Sequence, residues 1–190
     1  MLNQEQRRFL LQAARRSILN YLENGLTGVA ETADPVLLEK RGAFVSLRWD
    51  KDLRGCIGLI EGKYPLNETV CRMAIEAAVG DPRFPGLTIR ELKEVIIEIS
   101  VLTTPERVRG PQDIVMLRDG VIVRQGYCQG VFLPQVAEEQ GWDKEQFLSF
   151  LCEYKAGLPR EAWKEKETEL YTFQAEVFSE VDFPPSSPSK

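Results

Sequence analysis

The chain has 190 residues, enough for one domain, or one main domain with a small lobe, and enough to bury a sizeable core. Its 43% hydrophobic and 28% charged shares are those of a folded chain rather than a disordered one. It contains no histidine, which excludes Ser-His-Asp triads, Cys-His pairs and His-ligated metal sites, and leaves acid–base work to Asp, Glu, Lys, Tyr or Cys.

The 24 basic and 29 acidic side chains leave a net charge of −5, against a general role in nucleic-acid binding. The basic clusters are short: Arg15-Arg16, Lys40-Arg41, and Arg107 with Arg109. Each reads as a solvated surface. The cysteines, Cys56, Cys71, Cys128 and Cys152, show no C-x-x-C spacing, so neither a zinc ribbon nor an iron–sulfur cluster is expected. No cofactor or metal is assigned. The polar start, Met1 to Glu5, has no apolar core of a signal peptide, and no run approaches the ~18 apolar residues of a membrane span. The expectation is a cytoplasmic protein with four free thiols.

A helix is expected from about Asn3 to Glu23, with Leu10, Ala14, Ser17, Ile18 and Tyr21 on one face and Gly25 as its stop. Residues 26–42 show no period apart from a turn near Pro35. Ala43–Trp49 and Leu53–Ile60 read as a β-hairpin around Asp50-Lys51-Asp52. Asn67 is the expected cap of a second helix that ends near Gly80. Two prolines within Asp81–Gly86 forbid helix there. Thr88 and Glu91 have capping-box spacing for a short helix. Val95–Leu102 is the strongest strand. Val121–Val123 and Gly130–Leu133 follow as strands around Gln125-Gly126-Tyr127, and Pro134 opens a short helix. Asp143 and Gln146 cap the next helix, which Gly157 and Pro159 end. Leu170–Phe178 alternates as one final strand, and residues 181–190 read as a disordered tail. Helices and hairpins without regular βαβ alternation indicate an α+β fold, with mainly antiparallel sheets flanked by helices.

The segment that stands out chemically is Leu53-Arg54-Gly55-Cys56-Ile57-Gly58. Strand alternation would put Arg54, Cys56 and Gly58 on one face. Two glycines weaken a strand, a cost explained by close approach of another backbone or a ligand. Arg54 beside Cys56 would lower the thiol pKa. The competing reading makes Cys56 a small buried hydrophobe and Arg54 an ion-pair partner. Glu98 interrupts the most apolar strand, so it is either on a solvated face or buried with a partner. Asp81 and Arg83 frame the proline turn, where a local ion pair is the simpler reading. Lys155 precedes a helix end, where a cation also suits the dipole. Cys71 and Cys152 lie on apolar helix stripes and read as core.

These segments together resemble the AMMECR domain family, whose bacterial and archaeal members are called AmmeMemoRadiSam system protein A. Leu53–Gly58 matches its LRGCIG hexapeptide. Asp81-Pro82-Arg83-Phe84, Glu98–Leu102, Phe132-Leu133-Pro134-Gln135-Val136, Lys155–Pro159 and Tyr171-Thr172-Phe173 follow in the family's order. The resemblance runs from about Ala43 to Phe178. It implies an α+β fold of two lobes, the larger built from both chain ends and the smaller central, at roughly 60–115, with the hexapeptide near the cleft between them. It implies association with a Memo-like protein and a radical SAM protein, which would carry the metal chemistry. Two departures weaken any role at their positions: Met73, where many members have Asn, and Cys128-Gln129, where they have a basic residue nearby. The candidate catalytic residues are therefore Cys56, Glu98 and Lys155. The candidate binding residues are Arg54, Gly55, Gly58, Asp81, Arg83 and Gln135. Three functions stay open: a thiol-dependent enzyme or accessory subunit, a non-catalytic protein binding a partner or small anionic ligand, and binding of a nucleotide or RNA.

Overall fold

A computed structural model describes residues 1–183; the remainder of the expected tail, residues 184–190, lies outside the described residues. The chain divides into two compact units, residues 1–102 with the segment from 176 onward, and Thr103–Ala175. Residues 60–115 do not form a lobe of their own. Their helix and their strongest strand pack into the first unit, because both carry apolar faces that its sheet buries.

The first unit opens with α1 (Gln4–Asn24), whose start is fixed by the reciprocal capping box of Asn3 and Gln6 and whose end is the left-handed Gly25. Strands β1 (Ala43–Trp49) and β2 (Asp52–Leu59) form the expected hairpin. Helix α2 (Leu66–Val79) begins one residue ahead of Asn67, which is not its cap. The buried Asn67 amide instead donates to the Ala30 carbonyl at 2.8 Å and ties residues 26–42 to the helix start. The short α3 (Ile89–Leu92) has the Thr88–Glu91 capping box. Strand β3 (Ile96–Leu102) follows, and the sheet order is β2-β1-β3-β8, with β8 at Ala175–Ser179. Leu10, Ala14 and Ile18 of α1 and Val70, Ala74 and Ala77 of α2 pack with Val45, Leu47, Ile97 and Ile99 of the sheet.

The second unit holds β4 (Glu106–Val108), β5 (Gly120–Gln125), β6 (Cys128–Phe132), α4 (Gln135–Gln140), α5 (Lys144–Phe150) and β7 (Glu169–Phe173). Its sheet order is β4-β7-β5-β6. Asp143 and Gln146 cap α5 as expected, but the helix then widens into a π-helical turn over Leu151–Ala156. Phe147, Leu148, Leu151 and Cys152 fill the core with Trp163. The expected single strand 170–178 is two strands in different sheets, β7 and β8, parted at Gln174. Apolar alternation runs through both, so the break leaves no mark on the pattern. Residues 180–182 form a 3-10 turn closed by a Ser179–Asp182 capping box, which corrects the tail expected from 181. No helix among the described residues is long and apolar enough to cross a membrane.

Candidate functional site

Strand β2 is an edge strand, so one side of its backbone has no partner strand. At Cys56 that side is covered by the turn after α2. The Cys56 N–H donates to Asp81 Oδ2 at 2.9 Å, and Arg83 donates to the Cys56 carbonyl at 3.2 Å. Arg83 also grips Asp81 through both oxygens, at 2.9 and 2.7 Å. The Asp81–Arg83 pair thus stands in for the missing strand. The Arg83 hydrogen bond holds the Asp81 carboxyl at about 2, against the opposing effect of burial, with the Cys56 N–H helping.

The two glycines are explained within the fold. A Cβ on Gly55 would lie 2.1 Å from the Ala77 carbonyl oxygen of α2, so this glycine lets the helix lie on the sheet. A Cβ on Gly58 would lie 2.2 Å from the Phe44 ring of β1. Packing therefore accounts for both glycines without a ligand.

Arg54 is also re-placed. Leu47 pairs with Gly55 and Arg48 with Leu53, which leaves Arg54 at a bulge and breaks the simple alternation. Its guanidinium donates to Glu91 Oε1 at 3.2 and 3.1 Å and approaches the Gly86 carbonyl at 3.5 Å. It is 9% exposed, and one terminal nitrogen, Nη1, is buried with no hydrogen-bond partner. Hydrogen bonds from Thr88, offset in part by burial and joined by Arg54, hold the Glu91 carboxyl below its ordinary range. Arg54 therefore anchors α3 to the sheet.

What remains is a polar row across the sheet. Ser46 of β1 lies opposite Cys56 on one side and Glu98 on the other. The Ser46 hydroxyl donates to Cys56 Sγ at 3.2 Å. Arg48 donates to Glu98 Oε1 at 3.3 and 3.2 Å, the partner that a half-buried Glu98 requires. The thiol of Cys56 is pushed up by burial; the Ser46 hydrogen bond and the charges of Arg83 and Arg48 oppose this, and Asp81 reinforces it. The net direction is the reverse of the activation expected from Arg54, which is not among the charges acting on the thiol.

Lys155 and Gln135 belong to the second unit. Lys155 is exposed in the π-helical turn, with its ammonium 5.8 Å from the centroid of the Phe132 ring. Gln135 is the first residue of α4. Ser46 and Arg48 are absent from the sequence-derived candidates because only strand register reveals them as neighbours of Cys56 and Glu98. Cys71 and Cys152 are buried, as their helix stripes require. Among the described residues, no group of three or more Cys, Asp or Glu side chains is placed to hold a metal ion.

Similar sequences and a similar fold are found in other proteins. A protein of Thermococcus onnurineus is 45% identical over 183 residues, covering 90% of this chain and 89% of that one. Protein MJ0810 of Methanocaldococcus jannaschii is 43% identical over 190 residues, covering 96% and 94%. The crystal structure of uncharacterized protein PH0010 from Pyrococcus horikoshii superposes with a TM-score of 0.85 at 43% identity, covering 90% of this chain and 89% of that one. The sequence pattern of the AMMECR1 family matches residues 11–178, and the chain belongs to that family.

Proposed function

We propose that this protein is an accessory binding subunit, in which the row Cys56–Ser46–Glu98 recognises a partner surface or small ligand with a neutral thiol. The observation that carries the reading is the pairing of the charges around Cys56, Arg83 with Asp81 and Arg48 with Glu98. A nucleophilic cysteine needs thiolate, and burial here pushes the thiol toward the protonated form. A row whose charges are already matched suits recognition by shape and hydrogen bonding. On this reading the partners are the Memo-like and radical SAM proteins that the family resemblance implies, and redox and metal chemistry belong to them. A chain without histidine fits that division of labour.

A second reading keeps Cys56 as a catalytic thiol. It is favoured by the Ser46 hydroxyl at 3.2 Å and by the charges of Arg83 and Arg48, which all stabilise thiolate. Glu98 would then be its proton acceptor, one strand further along the row.

Alkylation kinetics and co-purification separate the two readings. On the binding reading, Cys56 in the native protein reacts more slowly at neutral pH than a free small-molecule thiol. Cys56→Ser still co-purifies with both partner proteins, whereas Glu98→Gln weakens the complex. A Cys56 that alkylates faster than the free thiol, together with a complex lost in Cys56→Ser, would overturn this reading in favour of the enzyme.

A further inference from the structure

The second unit contains a cavity of about 510 Å³ to which neither Cys56 nor its row contributes. This lies within the roughly 300–1,000 Å³ of small-molecule sites. One wall is Arg107 of β4 and the loop through Arg109; the other is the segment Lys164–Lys166 leading to Glu169 of β7. In a chain of net charge −5, its lining carries four basic side chains, Arg107, Arg109, Lys164 and Lys166, against two acidic ones, Glu165 and Glu169. The pair Arg107 and Arg109 reads in the sequence as a short solvated cluster; the fold brings it opposite two lysines that lie more than fifty residues away.

Both acids are already engaged. Glu169 holds Arg107 at 3.0 Å and accepts the Tyr171 hydroxyl at 2.9 Å. Glu165 accepts the Gln125 amide at 2.7 Å. Lys164 and Arg109 have carboxylates outside the lining, Glu161 and Asp113. Lys166 has no carboxylate partner among the described residues, and the Arg109 side chain is 88% exposed.

The walls are fixed before any ligand arrives. The Lys144 ammonium donates to the carbonyls of Pro111 and Ile114, at 3.1 and 2.7 Å, behind the arginine loop. Asp113 clamps the Arg109 backbone N–H at 3.1 Å. On the other side the Thr168 hydroxyl donates to the Ala162 carbonyl at 2.6 Å, and the Trp163 indole to Ser149 at 3.2 Å. Leu170 and Trp163 make an apolar floor beneath the charged rim. Preorganised walls reduce the ordering cost of binding. Asp113 holds the Nε and Nη2 edge of Arg109 at 3.1 and 3.2 Å, so the remaining guanidinium N–H groups of Arg109 and the mobile Lys166 ammonium are the donors that suit a phosphate group.

We infer that this cavity binds a small phosphorylated molecule of mononucleotide size, with its phosphate between Arg109 and Lys166. Its independence from Cys56 means that it stands or falls apart from the proposed function above.

The test is calorimetric titration of the full chain with AMP, pyrophosphate, adenosine and citrate at low and physiological salt. AMP is expected to bind at one saturable site, more weakly as salt rises, with adenosine silent. Lys166→Glu is expected to weaken AMP about tenfold or more and Arg109→Gln severalfold. Both residues are exposed, so their unliganded melting temperatures should stay at the parent value, and Lys166→Gln provides a milder second variant. Pyrophosphate binding at the same site, with the same loss in Lys166→Glu, supports recognition of the phosphate itself. Any one of four results overturns the inference: no saturable binding of AMP or pyrophosphate at about 5 mM, equal binding of adenosine, tighter binding of citrate, or AMP affinity untouched by Lys166→Glu.

Discussion

Asp81 accepts the backbone N–H of Cys56 at 2.9 Å across twenty-five positions of sequence, and so closes the free edge of the sheet at its most distinctive residue. Asp81 is 4% exposed, and its carboxyl is held at about 2, chiefly by Arg83. Its folded pKa lies below its unfolded value, so its contribution is complete above the unfolded value of about 3.9. That contribution is lost as pH falls from about 4 through about 2. Its size is on the order of 2 kcal/mol. Urea denaturation as a function of pH should show the loss in the parent chain. Asp81→Asn should be destabilised at neutral pH and flatter across the acid window. An unchanged acid slope in Asp81→Asn would assign the loss to other carboxylates.

The glycines of the hexapeptide should respond differently to alanine. Gly55→Ala drives a methyl into the Ala77 carbonyl, and backbone on both sides cannot yield, so a loss of about 3 kcal/mol is expected. Gly58→Ala meets the Phe44 ring, which can be replaced, and the Ala43 carbonyl oxygen at 2.7 Å, which cannot, so a loss of about 2 kcal/mol is expected, of which only the Phe44 share can be relieved. Phe44→Leu should recover part of it, and a double-mutant cycle in urea reads the coupling directly. Equal losses for the two glycines, with no coupling to Phe44, would contradict this account.

Local signals told most of the fold. Thr88 and Asp143 cap the helices their spacing indicated, because a capping box is made within four residues. The hairpin of β1 and β2 was visible for the same reason. Two features were hidden because they depend on contacts far along the chain. Alternation from 170 to 178 is identical whether one sheet or two receive it, so the switch at Gln174 left no trace. A bulge shifts the β1–β2 register by one residue, so Arg54 turns to Glu91 and Ser46 lies opposite Cys56, while the regular β1–β3 register sets Glu98 on the other side of Ser46. Composition could name Cys56 and Glu98, but only register could join them.

That register makes Arg54 and Arg83 separable in experiment. Arg83 acts on the Cys56 thiol and lowers its pKa, so Arg83→Gln should push the thiol higher and slow its alkylation at fixed pH. Arg54 is committed to Glu91 and Gly86. Arg54→Met should leave the alkylation rate within about twofold, while changing stability by a few kcal/mol at most. Lys at this position keeps the charge but loses the two-pronged contact to Glu91, so Arg54→Lys should not behave as the parent. A slowed thiol in Arg54→Met with Arg83→Gln unchanged would reverse the assignment.

Arg15 of α1 joins parts of the first unit that are distant in sequence. It donates to the carbonyls of Leu92 and Val95 at 2.6 and 2.8 Å, and to both oxygens of Glu180 at 2.5 Å. Glu180 in turn accepts the Ile97 N–H of β3 at 2.8 Å. The carboxylate therefore serves one charged donor and one backbone donor, and the guanidinium satisfies two carbonyls where α3 runs into β3. Such a network is worth more than an exposed pair, because each loss leaves a backbone group unmatched. Glu180→Ala should cost about 2 kcal/mol and raise the hydrogen-exchange rate of the Ile97 amide selectively. Glu180→Gln keeps an acceptor for Ile97 but loses the charge facing Arg15, so its stability should fall while Ile97 stays protected. Uniform exchange acceleration across β3 in both variants would mean that the Ile97 contact has no separate role.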